Sequence, residues 1–284
     1  MQQNYIQSGI INSTMIAYCY LCVGKGTIWK VLLLLAVLEG LRSWSYAVSG
    51  SLGLEITSCS PVGYYFILTQ QPLWSMAETV QVEYSRQKYL ALEHRKDRIP
   101  KHLHYFFYFG YFCSISLGFA TAGAQIASCY SSTSYKDYID GLKTLVVAIL
   151  EVVVAYYLIS TGIRLRSEAP STQSYQDFFI DFIKSSVFRL LIQVPMYLIF
   201  SFIALYTNVA PRGKVKHSDF DKYNIQGFFD SYKHYMPLLL LVDTFLTGLA
   251  VKKMKTSNVV RTELKTNKKE EDEELSETKK GTKI

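Results

Sequence analysis

Acidic side chains interrupt apolar segments at several points of this chain. Glu151 lies in the run VVAILEVVVAYY and Asp243 in PLLLLVDTFLTGLA, and no basic residue is within one helical turn of either. A charged side chain at the centre of a bilayer costs about 2.5–3.5 kcal/mol on insertion scales, so such residues are usually functional or paired. Two readings stay open: the two acids line one polar pocket for a proton or cation, or they form structural hydrogen bonds between helices.

Three further residues with a charge at membrane depth join these candidates for an intramembrane polar site. Glu39 and Arg42 are three positions apart and share a helix face, so they can pair with each other or take part in binding. Glu78 lies in the next apolar segment. Pro195, in LLIQVPMYLIF, removes a backbone hydrogen bond and is predicted to kink its helix.

The elements that carry these residues are long apolar segments. A run of about 20 apolar residues spans the hydrocarbon core as a helix. The predicted spans are 28–49, 62–84, 103–128, 142–163, 186–207 and 235–252, preceded by a more polar segment at 6–24. We therefore predict an all-α, polytopic membrane helix bundle with seven spans, or six if residues 6–24 lie at the interface or re-enter without crossing.

Charge is segregated along the chain. The net charge is +7, but Lys and Arg stand beside the apolar segments, where they fix orientation and meet anionic lipid, so we expect no nucleic-acid binding. We predict a bundle over 1–252 and a charged, disordered cytosolic tail over 253–284. Anionic lipid is expected at the cytosolic basic clusters, and a protein partner could bind the cytosolic loops or the tail.

The basic residues also predict an orientation. The loop 85–102 holds six Lys and Arg, whereas the loops 50–61 and 129–141 hold none and one. Short basic loops stay in the cytosol, which places the N-terminus outside and the C-terminus inside for seven spans. The loop 208–234, with five Lys and Arg on the outer side, is an exception to this assignment.

This topology puts Cys59 and Cys129 on the same outer side. They can form a disulfide in an oxidising compartment or remain two free thiols.

Small residues at intervals of four, Ser114, Gly118 and Ala122, indicate close helix contact, either within the bundle or at a homodimer face. No nucleophile elbow, phosphate loop or metal-binding cluster is present, so we expect no catalytic residue, metal or cofactor.

Two short patterns carry a resemblance to known proteins. The second helix ends LEGLRSWSYAV, with Leu41-Arg42 followed by aromatic residues, and the third runs PLWSMAETVQVEYSRQK, with Glu83-Tyr84-x-Arg86 at its inner end. These segments resemble the seven-span group of plant tobamovirus-multiplication and animal orphan-receptor-like proteins. The resemblance implies a receptor-like architecture in which Glu83 and Arg86 form an inner-end polar pair that holds helices together.

Three functions remain open from the sequence. The first is a seven-span receptor-like protein that acts by binding a ligand or partner and rearranging its helices, without catalysis. The second is a small proton- or cation-coupled transporter or channel that uses Glu151 and Asp243. The third is a structural or assembly subunit of an endomembrane complex, whose polar residues only join helices. The sequence does not separate plasma membrane from endomembrane.

Overall fold

The computed structural model describes residues 2–22, 26–51, 59–92, 101–130, 135–168, 173–209 and 237–250. All of these stretches are helical apart from short turns at their ends, so the all-α prediction is confirmed. The helices are α1 (Gln2–Cys22), α2 (Thr27–Ser51), α3 (Pro61–Leu92), α4 (Lys101–Ala127), α5 (Lys136–Glu168), α6 (Gln173–Val209) and α7 (Pro237–Ala250). The predicted tail and most of the predicted loop 208–234 lie outside the described residues.

Four of the described helices are long and apolar enough to cross a membrane. They are α2, α4, the Lys136–Arg164 part of α5 and the Ile183–Tyr206 part of α6. The chain is therefore an integral membrane protein. Among the described residues, α1 and α3 do not reach the same hydropathy, and α7 is apolar but shorter.

Three helices are longer than the apolar pattern predicts. Helix α5 extends over Lys136–Glu168 instead of 142–163, and α6 begins at Gln173 instead of 186. Helix α3 continues to Leu92 instead of ending near 84. The predicted loop 85–102 is therefore wrong over its first eight residues. Arg86 and Lys88, which supported the orientation, are 5% and 0% exposed inside the bundle. Charge ended the apolar window in the sequence, but a helix shielded by its neighbours can continue through charged residues.

The start of α3 follows ordinary capping chemistry. The Ser60 hydroxyl accepts a hydrogen bond from the backbone N–H of Gly63 at 3.1 Å, which satisfies one of the free donors of the first turn. Pro61 occupies the first helical position, where its missing N–H costs nothing and its fixed φ suits the helix. The two capping residues follow Cys59 directly and fix where α3 leaves the preceding segment.

Helix α3 lies at the centre of the bundle. One apolar cluster joins it to α4, α5 and α6 through side chains such as Val82, Phe107 and Val154. A second cluster joins it to α1, α2 and α7 through Ala77, Leu35 and other buried side chains. Because other helices cover α3 on both sides, its surface can be polar without facing lipid.

Small residues allow the helices to approach closely. A Cβ added at Gly118 of α4 would overlap the Ser75 side chain of α3, and one added at Gly110 would lie 2.6 Å from Leu150 of α5. Ser114, Gly118 and Ala122 are all buried within the described bundle. The predicted small-residue stripe therefore packs inside the molecule, and the homodimer alternative is wrong.

The prolines lie where the helix pattern places them. Pro195 is inside α6, as predicted, and Pro72 is inside α3, where no proline was singled out. Pro237 is the first described residue of α7, a position that suits proline because the helix leaves the first N–H groups unbonded.

Residues 6–24, predicted as a possible first span, are helical up to Cys22 as part of α1.

Candidate functional site

A polar stripe that is buried over most of its length runs along α3. Its members recur every three or four residues and so lie on one helix face. They are Gln71, Trp74, Glu78, Gln81, Ser85 and Lys88. At 1.5 Å per residue, the stripe extends about 25 Å along the helix, most of the depth of a hydrocarbon core. Each member contacts a polar or charged side chain on another helix.

Asp243 of α7 is paired with two cations from two other helices. Lys88 Nζ of α3 lies 2.7 Å from Asp243 Oδ1, and Arg189 Nε of α6 lies 3.3 Å from Oδ2. All three side chains are at most 1% exposed. Because the pairs join three helices, they form only when α3, α6 and α7 come together.

Hydroxyl groups complete the coordination of these charges. Lys88 Nζ donates to Ser186 Oγ at 2.7 Å, and an Arg189 Nη group donates to Ser85 Oγ. The Lys88 ammonium also lies over the Tyr84 ring, 4.8 Å from its centroid. A buried ion pair needs such additional partners, because its mutual attraction alone seldom offsets the loss of hydration.

A chain of amide hydrogen bonds connects this centre to Glu151. Arg189 Nη1 donates to Gln193 Oε1 at 2.7 Å, and Gln81 Nε2 donates to the same oxygen at 2.6 Å. These two donors orient Gln193 so that its Nε2 donates to Glu151 Oε1 at 2.6 Å. Within the described residues, Glu151 Oε2 has no hydrogen-bond partner, although the residue is fully buried.

We call this set the Asp243 network. It joins α3, α5, α6 and α7 and consists of Gln81, Ser85, Lys88, Glu151, Ser186, Arg189, Gln193 and Asp243. Lys88 and Arg189 share the carboxylate of Asp243, while the carboxyl group of Glu151 forms no ion pair among the described residues. The centre of the network therefore has one cation more than it has paired carboxylates.

A second cluster lies nearer the start of α3. Lys143 Nζ of α5 is 2.9 Å from Asp140 Oδ1 and 3.3 Å from Glu78 Oε2. It also lies over the ring of Trp74, 4.2 Å from its centroid. From α2, the Arg42 guanidinium is 5.4 Å from the same centroid, and it pairs with Glu39 at 2.9 Å.

We call these six residues, Glu39, Arg42, Trp74, Glu78, Asp140 and Lys143, the Glu78 cluster. The cation–π contacts hold α2, α3 and α5 around one indole ring. Both cations of the cluster have a carboxylate three positions away on their own helix. Glu39 and Arg42 thus form the local pair that their spacing allows, and Glu78 adds a carboxylate from α3.

Glu83 and Arg86 form a third polar group, between α3 and α4. Arg86 Nε lies 2.6 Å from Glu83 Oε2, and Tyr111 donates to the same oxygen at 2.7 Å. A ring nitrogen of His104 is 2.9 Å from Arg86 Nη1. Through Tyr111 and His104, the pair on α3 contacts the neighbouring helix α4.

Cys59 and Cys129 are joined by a disulfide. The bond connects the segment before α3 to the turn after α4, with a sequence separation of 70 residues. It lies at the end of the bundle where α3 begins, which we call the Cys59 end. The opposite end, where α3 stops, is the Leu92 end.

Asp243 was predicted as a candidate polar residue inside the membrane, but its two cationic partners were not predicted. Lys88 and Arg189 were not predicted as its partners, because Lys88 was placed in a loop and Arg189 near the start of a span. Lys143, Asp140 and Gln81 were missed as well. One signal could have found the α3 members: polar residues at 78, 81, 85 and 88 repeat with helical spacing and continue past the predicted helix end. The partners on α5, α6 and α7 have no comparable pattern.

Comparison with known proteins identifies no relative of this chain. No family model matches the chain, and no curated protein or solved structure is significantly similar to it.

Proposed function

We propose that the chain is a seven-span, receptor-like membrane protein that acts by binding a ligand or partner and rearranging its helices, rather than by catalysis. In this proposal α1, α3 and α7 cross the membrane together with the four apolar helices. The short patterns in α2 and α3 that resemble the tobamovirus-multiplication and orphan-receptor-like group support the same architecture, as does the central position of α3.

The observation that carries the proposal is the sharing of Asp243 between Lys88 and Arg189. The ion pairs connect α7 to α3 and α6, and small helix movements can make or break them. A protein that switches needs an element with two discrete arrangements, which both a ligand and a partner can bias. The Arg189–Asp243 contact, at 3.3 Å, is the longer of the two pairs and the one we expect to open.

A distance measurement tests this expectation. Lys184 of α6 and Leu249 of α7 are exposed and lie on the same helices as Arg189 and Asp243, respectively. Spin labels at these two positions, in a chain whose three cysteines outside the disulfide are replaced by alanine, report the separation of α6 and α7. Arg189→Gln removes one cation and leaves Lys88 on Asp243, so it should lengthen or broaden the distance distribution.

Thr244→Val is the matched control. Thr244 is buried next to Asp243, but its hydroxyl bonds to the backbone of Leu240 in its own helix, so the variant should keep the wild-type distribution. If Arg189→Gln also keeps it while the protein stays folded, the switch is overturned and a structural subunit is favoured.

Proton flux into liposomes that contain the protein and enclose a pH-sensitive dye distinguishes the receptor-like proposal from the transporter alternative. A receptor-like protein gives no sustained proton flux. A flux that Arg189→Gln abolishes and Thr244→Val preserves would contradict the proposal and favour a proton-coupled transporter built on the Asp243 network.

A further inference from the structure

Glu151 occupies an unusual environment for a carboxyl group. It is fully buried, and its one hydrogen bond comes from the neutral amide of Gln193, at Oε1. In the described residues, nothing donates to Oε2. An ionised carboxylate without a counter-ion in a low-dielectric interior costs several kcal/mol, and a carboxyl group avoids this cost by binding a proton. The surroundings in this arrangement therefore favour the neutral acid.

Charged and titratable groups surround Glu151 on several helices. From α6, Arg189 is connected to Glu151 through the amide of Gln193, and from α3, Glu78 is the neighbouring carboxyl group. On its own helix, Lys143 lies two turns away and is paired with Asp140. Helix α4 meets α5 where Gly110 faces Leu150, and its titratable groups near this point are Tyr111, which donates to Glu83, and Cys113. Arg189 is thus the cation best placed to respond to a charge on Glu151.

We propose that Glu151 is a proton-binding site, and that loss of its proton transfers Arg189 from Asp243 to Glu151. The proton leaves the Glu151 carboxyl oxygen for solvent, and no bond other than O–H breaks. The inference rests on the proposed function, because the contact that the proton controls is the Arg189–Asp243 pair of the switch.

Charge balance is the physical reason for the transfer. With Glu151 protonated, Lys88 and Arg189 share one carboxylate, and the eight described residues of the network together carry one net positive charge. With Glu151 ionised, two one-to-one pairs are available, Lys88 with Asp243 and Arg189 with Glu151. Lys88 is already at 2.7 Å from Asp243 and can remain there. The network is neutral only in the second arrangement.

Gln193 provides the path between the two arrangements. Its amide links Arg189 to Glu151, accepting from the first and donating to the second. Arg189 and Gln193 are four positions apart on α6, so they lie on one face of the helix. When Arg189 takes the place of Gln193 at Glu151, α6 gains an ion pair with α5 and loses the one with α7. The separation of α6 and α7 is therefore the distance that should depend on pH.

The experiment is a pH titration of the full-length protein in liposomes, from about pH 5 to about pH 10, since buried glutamates can ionise as late as about pH 8–9. Infrared spectroscopy follows the band of a protonated carboxyl group, and spin labels at 184 and 249 follow the distance between α6 and α7. As pH rises, the wild type should lose the band and its distance distribution should shift over the same range. Glu151→Gln should lack the titrating band and keep the low-pH distribution throughout.

Glu83→Gln is the matched control, since it removes a carboxylate of α3 that lies outside the Asp243 network; it should titrate like the wild type. A pH-dependent distance that persists in Glu151→Gln would overturn the assignment to Glu151. If the carboxyl band titrates while the distance between α6 and α7 stays constant, the transfer of Arg189 is overturned. The same holds if the folded protein shows no titrating carboxyl band in this pH range. The proposed function fails separately, if Arg189→Gln leaves the distance unchanged at every pH.

Discussion

In the Glu78 cluster both cations have a carboxylate on their own helix, whereas in the Asp243 network both cations reach a carboxylate on a different helix. Arg42 pairs with Glu39, and Lys143 with Asp140, across three positions of one chain segment. Lys88 and Arg189 lie 155 and 54 positions from Asp243, on α3 and α6. The two clusters use the same side-chain types. The ion pairs of the first lie within single helices, and those of the second join different helices.

Pairs within one helix can form as soon as that helix does, so they lower the cost of placing each charge in the membrane. Pairs between helices form only after packing, so their free energy depends on the relative positions of the helices. The Glu78 cluster therefore suits a permanent structural joint. The Asp243 network suits a joint that changes when the helices move.

The largest expected effect comes from Asp243→Leu. This change leaves Lys88 and Arg189 buried without their shared counter-ion, and breaking a buried pair in this way costs about 3–5 kcal/mol. Thermal unfolding in detergent, followed by dye labelling of the buried Cys19, should show a large drop in midpoint. Replacing Lys88 and Arg189 by methionine in the same chain should restore much of the loss, and failure to do so would mean that charge is not the cause.

A smaller effect is expected from Gly118→Ala. The added methyl group would meet the Ser75 side chain and push α4 away from α3, at a cost of about 1–3 kcal/mol. Gly123→Ala on the same helix meets no atom within 4 Å, so it should be neutral or slightly stabilising. Unfolding midpoints of the two variants compare them directly. Equal effects would show that the close approach of α3 and α4 does not matter for stability.

The smallest effect is expected from Glu78→Gln. Lys143 keeps Asp140 as its counter-ion, and the glutamine can still accept a hydrogen bond, so the loss should be about 1 kcal/mol. The same unfolding assay measures it beside Asp243→Leu. A loss as large as that of Asp243→Leu would remove the distinction between local pairs and pairs that join helices.

The helices could be predicted from the sequence because apolar length is a local property. The segments around Glu151 and Pro195 were placed on the correct helices for this reason. The end of α3 could not be predicted in the same way, since Arg86 and Lys88 interrupt the apolar pattern. Their burial is possible only because other helices surround them, and that information is not contained in the segment itself.

The candidate site was predicted in part. Glu151 and Asp243 were identified because an acid in an apolar run is conspicuous, and Glu39 and Arg42 because their spacing pairs them. The link between Glu151 and Asp243 depends on Gln193 and Arg189, and no spacing along the chain brings α5, α6 and α7 together. Contacts between helices distant in sequence need the packed structure.

The proposed switch depends most on the attraction between Lys88 of α3 and Asp243 of α7. A double-mutant cycle of Lys88→Met and Asp243→Asn, measured by unfolding in one detergent, isolates this attraction. We predict that the double variant is more stable than the sum of the two single losses implies, with a coupling of about 0.5–3 kcal/mol. Additive losses, with no coupling between the two positions, would contradict it.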